Sequence, residues 1–339
     1  MIRKRGSVMD VPAGTGSRGG WPELRVQDWS GTRDTLHLWT QIVGKIRMAH
    51  APMLNHWWHV TLYVSPRGLT TSTIPYSNGA FDMEFDFHEH VLRIRTSNGS
   101  GASIRLGPKP VAEFHAETLD ALDRLGIATV IRAVPNEVDP AIPFAEDYLH
   151  ASYDEEAVRL YSAQLIQADR LINVFRSFFR GKVSPVQFFW GGMDLACARF
   201  SGRPAPRHPG GIPNCADWVM AEGYSHEVSS CGFWPGGGDE GAFYSYAYPE
   251  PEGFAGSTVE PSDAAYGPNL GLYLLPYEAV RRAADPDRHV LRFLQSTYIA
   301  AAEGGRWDRE ALETDPDRLR HPPDQDRGDL FLPGPVRPA

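Results

Sequence analysis

The chain has 339 residues, of which 42% are apolar and 22% are charged, and its formal net charge is −9. This composition is that of a globular protein, with enough apolar residues for two cores or one large one. The acidic balance and the lack of clustered Lys and Arg argue against nucleic-acid and anionic-membrane partners. The expected partner is a small molecule or a protein.

The cysteines and the terminal segments of the sequence bear on the cellular compartment of the protein. Cys197, Cys215 and Cys231 are odd in number and lack CxxC spacing, which disfavours a disulfide framework and a thiolate zinc site. The N-terminal basic residues precede no apolar segment, and no run of 18 apolar residues occurs. We therefore expect a soluble cytoplasmic protein, with residues 1–20 a disordered leader and residues 313–339 a flexible tail.

Predicted elements of the first half form a helix, a meander and a second helix. Apolar residues three and four apart in DTLHLWTQIVGKIRM predict a helix that Asp34 caps. The short β-rich runs HVTLYV, GLTTSTIPY, AFDMEFDF, VLRIRTS and ASIRLG predict an antiparallel meander. A second helix begins at Pro110 and ends at Gly126, and a strand is expected in IATVIRAV.

Predicted elements of the second half follow the same order. A capping box of Ser152 and Glu155 opens a long helix, whose apolar positions alternate at three and four residues. Strands are predicted at VQFFWGG, DLACARF, EVSSCGFW and AFYSYAYP, and two helices at LPYEAVRRA and HVLRFLQSTYIAAAEGG. The long insertion after Ser201 is a place where function is expected.

The two halves repeat one pattern. Gly44-Lys45 at the end of the first predicted helix corresponds to Gly181-Lys182 at the end of the long one. The predicted fold is therefore α+β, with two similar helix-plus-antiparallel-meander units, residues 21–140 and 141–312, related by a pseudo-two-fold internal duplication. Two unrelated units of this kind could imitate the pattern. Without a gap, Val111, Phe114, Thr118 and Gly126 align with Val290, Phe293, Thr297 and Gly305.

Several longer motifs carry a family likeness. They include TLHLWTQIVGK, NHWWH, GLTTSTIPY, HASYD, GKVSPV, SHEV, GFWPGGG and AYPEP. From about Trp21 to Leu312 the chain resembles an uncharacterised bacterial family, known as a domain of unknown function. The resemblance implies no activity. At Gln187, in SPVQFFWG, it leads us to expect histidine, which argues against a ligand role for that position here.

The motif NHWWHV contains the first candidate site. A helical turn would place His56 and His59 on one face, as a metal-binding pair requires, whereas a strand would point them to opposite faces. Neutral imidazole suits zinc, iron, copper and nickel, but such a site needs a third ligand. The alternative is structural: Trp57 and Trp58 belong to the core, and a histidine donates to a backbone carbonyl.

The motif SHEV contains the second candidate site. If the halves are duplicated, His226 and Glu227 face the same cleft as the first motif. His226 would then be the third metal ligand or move protons, and Glu227 would serve as general base. A solvated pair of loop residues is the alternative.

Substrate-binding residues are predicted nearby. Arg199 and Arg203 would clamp a carboxylate or a phosphate, unless their segment is only a rigid exposed loop. The glycines match neither a P-loop nor a dinucleotide fingerprint, so no nucleotide cofactor is indicated. Aromatic residues would hold a flat ligand, although aromatics in strands usually belong to a core. The candidates are Trp57, Trp58, Trp190 and Trp234.

The leading hypothesis is an enzyme of unknown reaction acting on a small organic substrate. Its site would lie between the two units, with zinc or a transition metal held by His56, His59 and His226. One alternative is a binding module without catalysis, in which the histidines are structural and the partner is a small molecule or a protein. The other is a metal-free acid/base enzyme that uses Glu227 and His226.

Overall fold

The computed structural model describes residues 20–77 and 79–314. The predicted leader and tail, apart from residues 20, 313 and 314, lie outside this part of the chain. The fold class is α+β, as predicted: the described residues form seven helices and two antiparallel sheets. No helix in the described part of the chain is long and apolar enough to cross a membrane.

The first sheet lies between two long helices in the sequence, α1 (Val26–His50) and α2 (Val111–Arg124). Its strands run in the order β1-β2-β4-β5-β6, and β3 pairs with β4, so most neighbours in the sequence are neighbours in the sheet. They are β1 (Tyr63–Ser65), β2 (Gly68–Thr70), β3 (Ile74–Tyr76), β4 (Gly79–Asp86), β5 (Val91–Thr96) and β6 (Gly101–Arg105).

The second sheet follows α3 (Glu155–Ser177) and has the order β11-β12-β10-β9-β8-β7. Four helices interrupt or follow it: α4 (Asp217–Gly223), α5 (Tyr277–Arg282), α6 (Pro286–Gly304) and α7 (Arg309–Leu312). The strands are β7 (Gln187–Phe189), β8 (Asp194–Pro204), β9 (His226–Trp234), β10 (Ala242–Tyr248), β11 (Ala265–Gly267) and β12 (Leu272–Pro276).

The two sheets meet at the first strand of each. Leu62 donates its N–H to the carbonyl of Phe188 at 3.0 Å and accepts from the N–H of Phe188 at 2.7 Å. The indole of Trp190 also donates to the carbonyl of Val60 at 2.8 Å. The buried apolar side chains of both halves belong to one cluster, so the halves share a core.

Two helix starts differ from the predictions. The first helix begins at Val26 and not near Asp34, because Trp29 extends its apolar stripe and packs on Tyr161 at 4.9 Å between ring centroids. The long helix is capped by Asp154 and not by Ser152: the Asp154 carboxylate accepts from two N–H groups of the first turn. A carboxylate at that position also interacts favourably with the helix dipole.

The strand predicted in IATVIRAV, residues 127–134, does not form. Its backbone bonds to other partners: the Ile127 N–H donates to Leu122 at the end of α2, and the Ala133 carbonyl accepts from Phe144. No strand lies beside it, so its β-branched residues have no sheet to join. Val130 in this segment is 90% exposed. The segment leads instead to Asn136 and Glu137.

Candidate functional site

His56 lies in a 3₁₀ turn, Asn55–Trp57, in which His56 and Trp57 both have left-handed φ values, 55° and 61°. Its Nδ1 donates to the carbonyl of Gly223 at 2.9 Å, and its Nε2 accepts from Lys182 Nζ at 2.7 Å. Burial lowers the pKa of His56, so the neutral ring is favoured. Both ring nitrogens therefore already have partners.

The other two predicted metal ligands are arranged differently. The ring of His226 lies 5.8 Å from that of His56 between centroids. His59 accepts from the Leu54 N–H at 3.1 Å and packs against Trp57. Within residues 20–77 and 79–314, no three His, Cys, Asp or Glu side chains are grouped to hold a metal ion. The metal site stays a prediction. Of its three predicted ligands, the structure brings only His56 and His226 together.

His226 and Glu227 point to opposite faces of β9, as successive strand residues do. Glu227 accepts from the Ser201 hydroxyl at 2.8 Å and from Arg203 Nε at 2.9 Å. Arg203 also donates to the carbonyl of Gly305, at the end of α6. The structure thus does not bring Glu227 and His226 into one site, and Glu227 links the sheet to a helix.

Arg199 is buried in the core and does not face a cleft. Its guanidinium donates to the Phe175 carbonyl and lies 3.5 Å from the centroid of the Phe175 ring. The ring of Tyr298 is 4.3 Å away on another side. Stacking on aromatic faces replaces the lost hydration of this cation. Neither arginine predicted to bind substrate is therefore free to do so in this structure.

The four predicted tryptophans have separate surroundings. Trp57 donates to the Val219 carbonyl at 2.8 Å, so the inserted segment covers it. Trp58 lies beside the Lys182 ammonium, with 5.5 Å from Nζ to its centroid. Trp190 is buried between the halves. Trp234 packs on the glycine turn that follows β9. They do not line a common pocket.

One face of the second sheet carries a row of tyrosines. Tyr244, Tyr246 and Tyr248 alternate along β10 and therefore point to the same side. The Tyr246 hydroxyl lies 2.7 Å from that of Tyr224, and Tyr248 donates to the carbonyl of Pro206. Both partners belong to the insertion after Ser201. The insertion therefore covers this face, which is rich in hydroxyl groups.

Asp194 lies at the start of β8, beside the row of tyrosines. Tyr244 donates its hydroxyl to Asp194 Oδ2. Burial raises the pKa of Asp194 to about 6, and the hydrogen bond from Tyr244 limits the rise. The side chain is half-buried. Asp194 can thus be ionised at neutral pH and still accept a proton readily.

Glu137 lies in the loop that follows residues 127–134. Its φ is 61°, and its N–H donates to the Pro213 carbonyl at 2.9 Å. The residue as a whole is exposed, but its carboxyl group lies against Gly191 and Gly192. This partial burial, together with the charge of Asp194, raises the pKa of Glu137 to about 7. Glu137 therefore titrates near neutral pH.

Two glycines make room for these carboxyl groups. A Cβ atom on Gly191 would lie 2.0 Å from Glu137 Oε1, so no other residue fits there without a shift. A Cβ atom on Gly192 would lie 3.0 Å from Asp194 Oδ1 and 3.9 Å from Glu137 Oε2. Both carboxyl groups therefore border one small space above Gly192.

Asn136 fixes the loop that carries Glu137. Its backbone N–H and carbonyl both bond to the Gln41 side chain, each at 2.8 Å. Its side-chain oxygen accepts from Lys45, and its amide donates to the Asn214 carbonyl at 2.6 Å. Burial lowers the pKa of Lys45 to about 8. These bonds offset the cost of the left-handed backbone at Glu137.

The sequence contains weak signals for this site. Asn136 and Glu137 form a polar pair between apolar positions, in AVPNEV, and Gly191-Gly192 precedes Asp194. The alternation in AFYSYAY would place three tyrosines on one face of a strand. None of these features by itself distinguishes a site from a turn or a core strand.

Comparison with known proteins yields one relationship. No curated protein and no solved structure matches the chain. A family described only as having unknown function matches residues 21–314, which is most of the chain. The long motifs noted in the sequence fall within this range, and the predicted resemblance is confirmed. The chain belongs to the family of unknown function DUF5996.

Proposed function

We propose that the protein is an enzyme that transfers protons to and from a small organic substrate by means of Glu137 and Asp194. One observation carries this proposal: the two carboxyl groups lie close to the same point beside Gly192. Both have a raised pKa, about 7 for Glu137 and about 6 for Asp194. A neighbouring acid and base that titrate near neutral pH are the combination that general acid–base catalysis requires.

Different roles follow from the different surroundings of the two groups. Asp194 has the lower pKa and is held by the Tyr244 hydroxyl, so it is the base that removes a proton from the substrate. Glu137 has the higher pKa and is the acid that donates one. The hydroxyls of Tyr224 and Tyr246 can orient the polar groups of the substrate. The proposed step therefore uses Glu137 and Asp194 in place of Glu227 and His226.

The test compares wild type with the Glu137→Gln and Asp194→Asn variants in a mixture of small polar metabolites. Mass spectrometry follows which compounds are consumed. We expect one compound class to be converted by wild type, with a loss of about a hundredfold or more in either variant. Glu227→Gln is the matched control and should keep full activity. Equal conversion by wild type and by both the Glu137→Gln and Asp194→Asn variants would refute the proposal, whereas retention of a compound without conversion would favour a binding module.

We infer also that the two units arose by internal duplication. Lys45 of the first unit lies over Trp190 of the second at 5.4 Å, and Lys182 of the second lies over Trp58 of the first at 5.5 Å. The sequence alignment pairs these lysines with each other. In the last helix of each unit, a threonine hydroxyl donates to a phenylalanine carbonyl: Thr118 to Phe114 at 2.7 Å, and Thr297 to Phe293 at 2.8 Å.

A further inference from the structure

Lys45 and Lys182, which correspond in the alignment of the two halves, donate hydrogen bonds to different acceptors. Lys45 is almost fully buried and donates to the side-chain oxygen of Asn136. Lys182 is only half-buried and donates to His56 Nε2 at 2.7 Å. An amide oxygen cannot take up a proton near neutral pH, but an imidazole nitrogen can. Only Lys182 is therefore paired with a base.

The base is itself held in place. His56 Nδ1 donates to the Gly223 carbonyl, so the Nε2 lone pair points at Lys182. The Phe200 ring packs on the imidazole, with 4.4 Å between centroids. An amine, a neighbouring base and a group that orients the base make up the arrangement of an activated nucleophile.

Burial also favours the neutral amine at Lys182. It lowers the pKa of Lys182 against the opposing charge of Glu222, while the Trp58 and Phe200 rings, 5.5 and 5.1 Å from Nζ, attract the fraction that stays cationic. A neutral amine has the free electron pair that nucleophilic attack needs.

We propose that Lys182 is a nucleophile that forms an imine with a small aldehyde or ketone, with His56 carrying the proton. The Lys182 nitrogen forms a bond to the carbonyl carbon. The proton that leaves the nitrogen passes through His56 to the carbonyl oxygen, which becomes a hydroxyl group. The remaining proton of the nitrogen then passes through His56 to that hydroxyl, which leaves as water, and the nitrogen electron pair forms the carbon–nitrogen double bond. This site shares no residue with the Glu137–Asp194 site, so its test is independent of the proposed acid–base function.

The experiment traps the imine on the full-length protein. Wild type is incubated at pH 7 with acetaldehyde and sodium cyanoborohydride, whose hydride reduces an imine to a stable ethylamine. Nα-acetyl-lysine in the same solution is the reference amine, and peptide mass spectrometry measures the rate at each lysine. We expect Lys182 to react at least about tenfold faster than the reference, and Lys45 to react more slowly than it.

Variants of the two histidines in the NHWWH motif separate the role of His56 from a general effect on the fold. His56→Asn removes the base but keeps a residue that tolerates a left-handed backbone, and the Lys182 rate should fall to the reference rate or below. His59→Asn, in the same motif, should leave the rate unchanged. His56→Gln provides a second replacement if His56→Asn does not fold. A Lys182 rate in wild type that does not exceed the reference, or an unchanged rate in a folded His56 variant, would overturn the proposal.

Discussion

Glu137 and Asp194 approach one point from two sides: a Cβ atom on Gly192 would lie 3.9 Å from Glu137 Oε2 and 3.0 Å from Asp194 Oδ1. The two groups come from parts of the chain that the sequence gives no reason to connect. Glu137 lies near the end of the first unit, whereas Asp194 starts a strand of the second. Their electrostatic interaction is the property on which the proposed acid–base function depends.

The first prediction concerns this interaction. In Asp194→Asn, the pKa of Glu137 should fall from about 7 toward its ordinary value of 4.5, because a neighbouring negative charge is removed. The fall should be partial, since burial is the larger cause. Carbon-13 NMR titration of the glutamate carboxyl groups measures it. Glu227→Gln should leave the Glu137 titration unchanged, and an unchanged titration in Asp194→Asn would show that the carboxyl groups do not interact.

The second prediction concerns stability. A carboxyl group with a raised pKa favours the folded state below its ordinary pKa, and this contribution is lost as the pH rises through about 7. Glu137→Gln should therefore be more stable than wild type at pH 8, and the difference should vanish near pH 4. Because Glu137 is partly exposed to solvent, we expect the free energies of unfolding at pH 8 to differ by about 1 kcal/mol, which is less than the full pKa shift implies. Urea unfolding at both pH values measures this difference. A Glu137→Gln variant that is less stable than wild type at pH 8 would contradict the prediction.

The third prediction concerns the glycine beneath Glu137. In Gly191→Ala the new Cβ would lie 2.0 Å from Glu137 Oε1, so the carboxyl group must move away. We expect the pKa of Glu137 to change by NMR and any conversion of substrate to fall at least about tenfold. Gly107→Ala is the control, because a Cβ there meets nothing within 4 Å and the backbone does not need glycine. Equal effects in the two variants would refute a specific role for Gly191.

The fourth prediction concerns Glu227. Its carboxylate joins Ser201 and Arg203, which in turn bonds to the end of α6. Glu227→Gln should lower the free energy of unfolding by about 1 kcal/mol, because the pair is partly exposed. Arg203→Met should have a similar effect, and the double variant should lose less than the sum of the two. If the losses in free energy of unfolding, measured by urea unfolding, were additive, the two side chains would not act together.

The fifth prediction concerns metal. Elemental analysis by plasma mass spectrometry is made on untagged protein purified without chelators. Because His56 Nε2 faces Lys182 and His59 accepts from Leu54, we expect His56→Ala and His59→Ala to keep whatever metal content wild type shows. About one equivalent of zinc, iron, copper, nickel or manganese in wild type, lost in both variants, would instead support the metal hypothesis.

Much of the fold follows from patterns that sequence can show. The long helices and most strands were predictable, because apolar periodicity reports which face of an element is buried. The segment at 127–134 was not, since β-branched residues form a strand only where another strand is available to pair. Asp154 was missed as a helix cap because Ser152 and Glu155 offered a competing capping box.

The candidate site was less predictable than the fold. The approach of His226 to His56 was expected, since the repeated pattern placed both motifs at one interface. The separation of His226 from Glu227 follows from strand alternation once the strand is known to start at His226. Glu137 lies in irregular backbone, where no periodicity indicates the direction of a side chain. Its role depends on contacts with Gly191 and Asp194, which are far away in the sequence.

The packing of a lysine from each half on a tryptophan of the other half affects how the protein unfolds. Each ammonium group lies over an indole ring supplied by the other half, and the Trp190 indole also bonds to the Val60 carbonyl. Separating the halves would leave both indoles without their cationic partners and open the shared core to water. We therefore expect the two halves to lose their structure together, in a single cooperative transition.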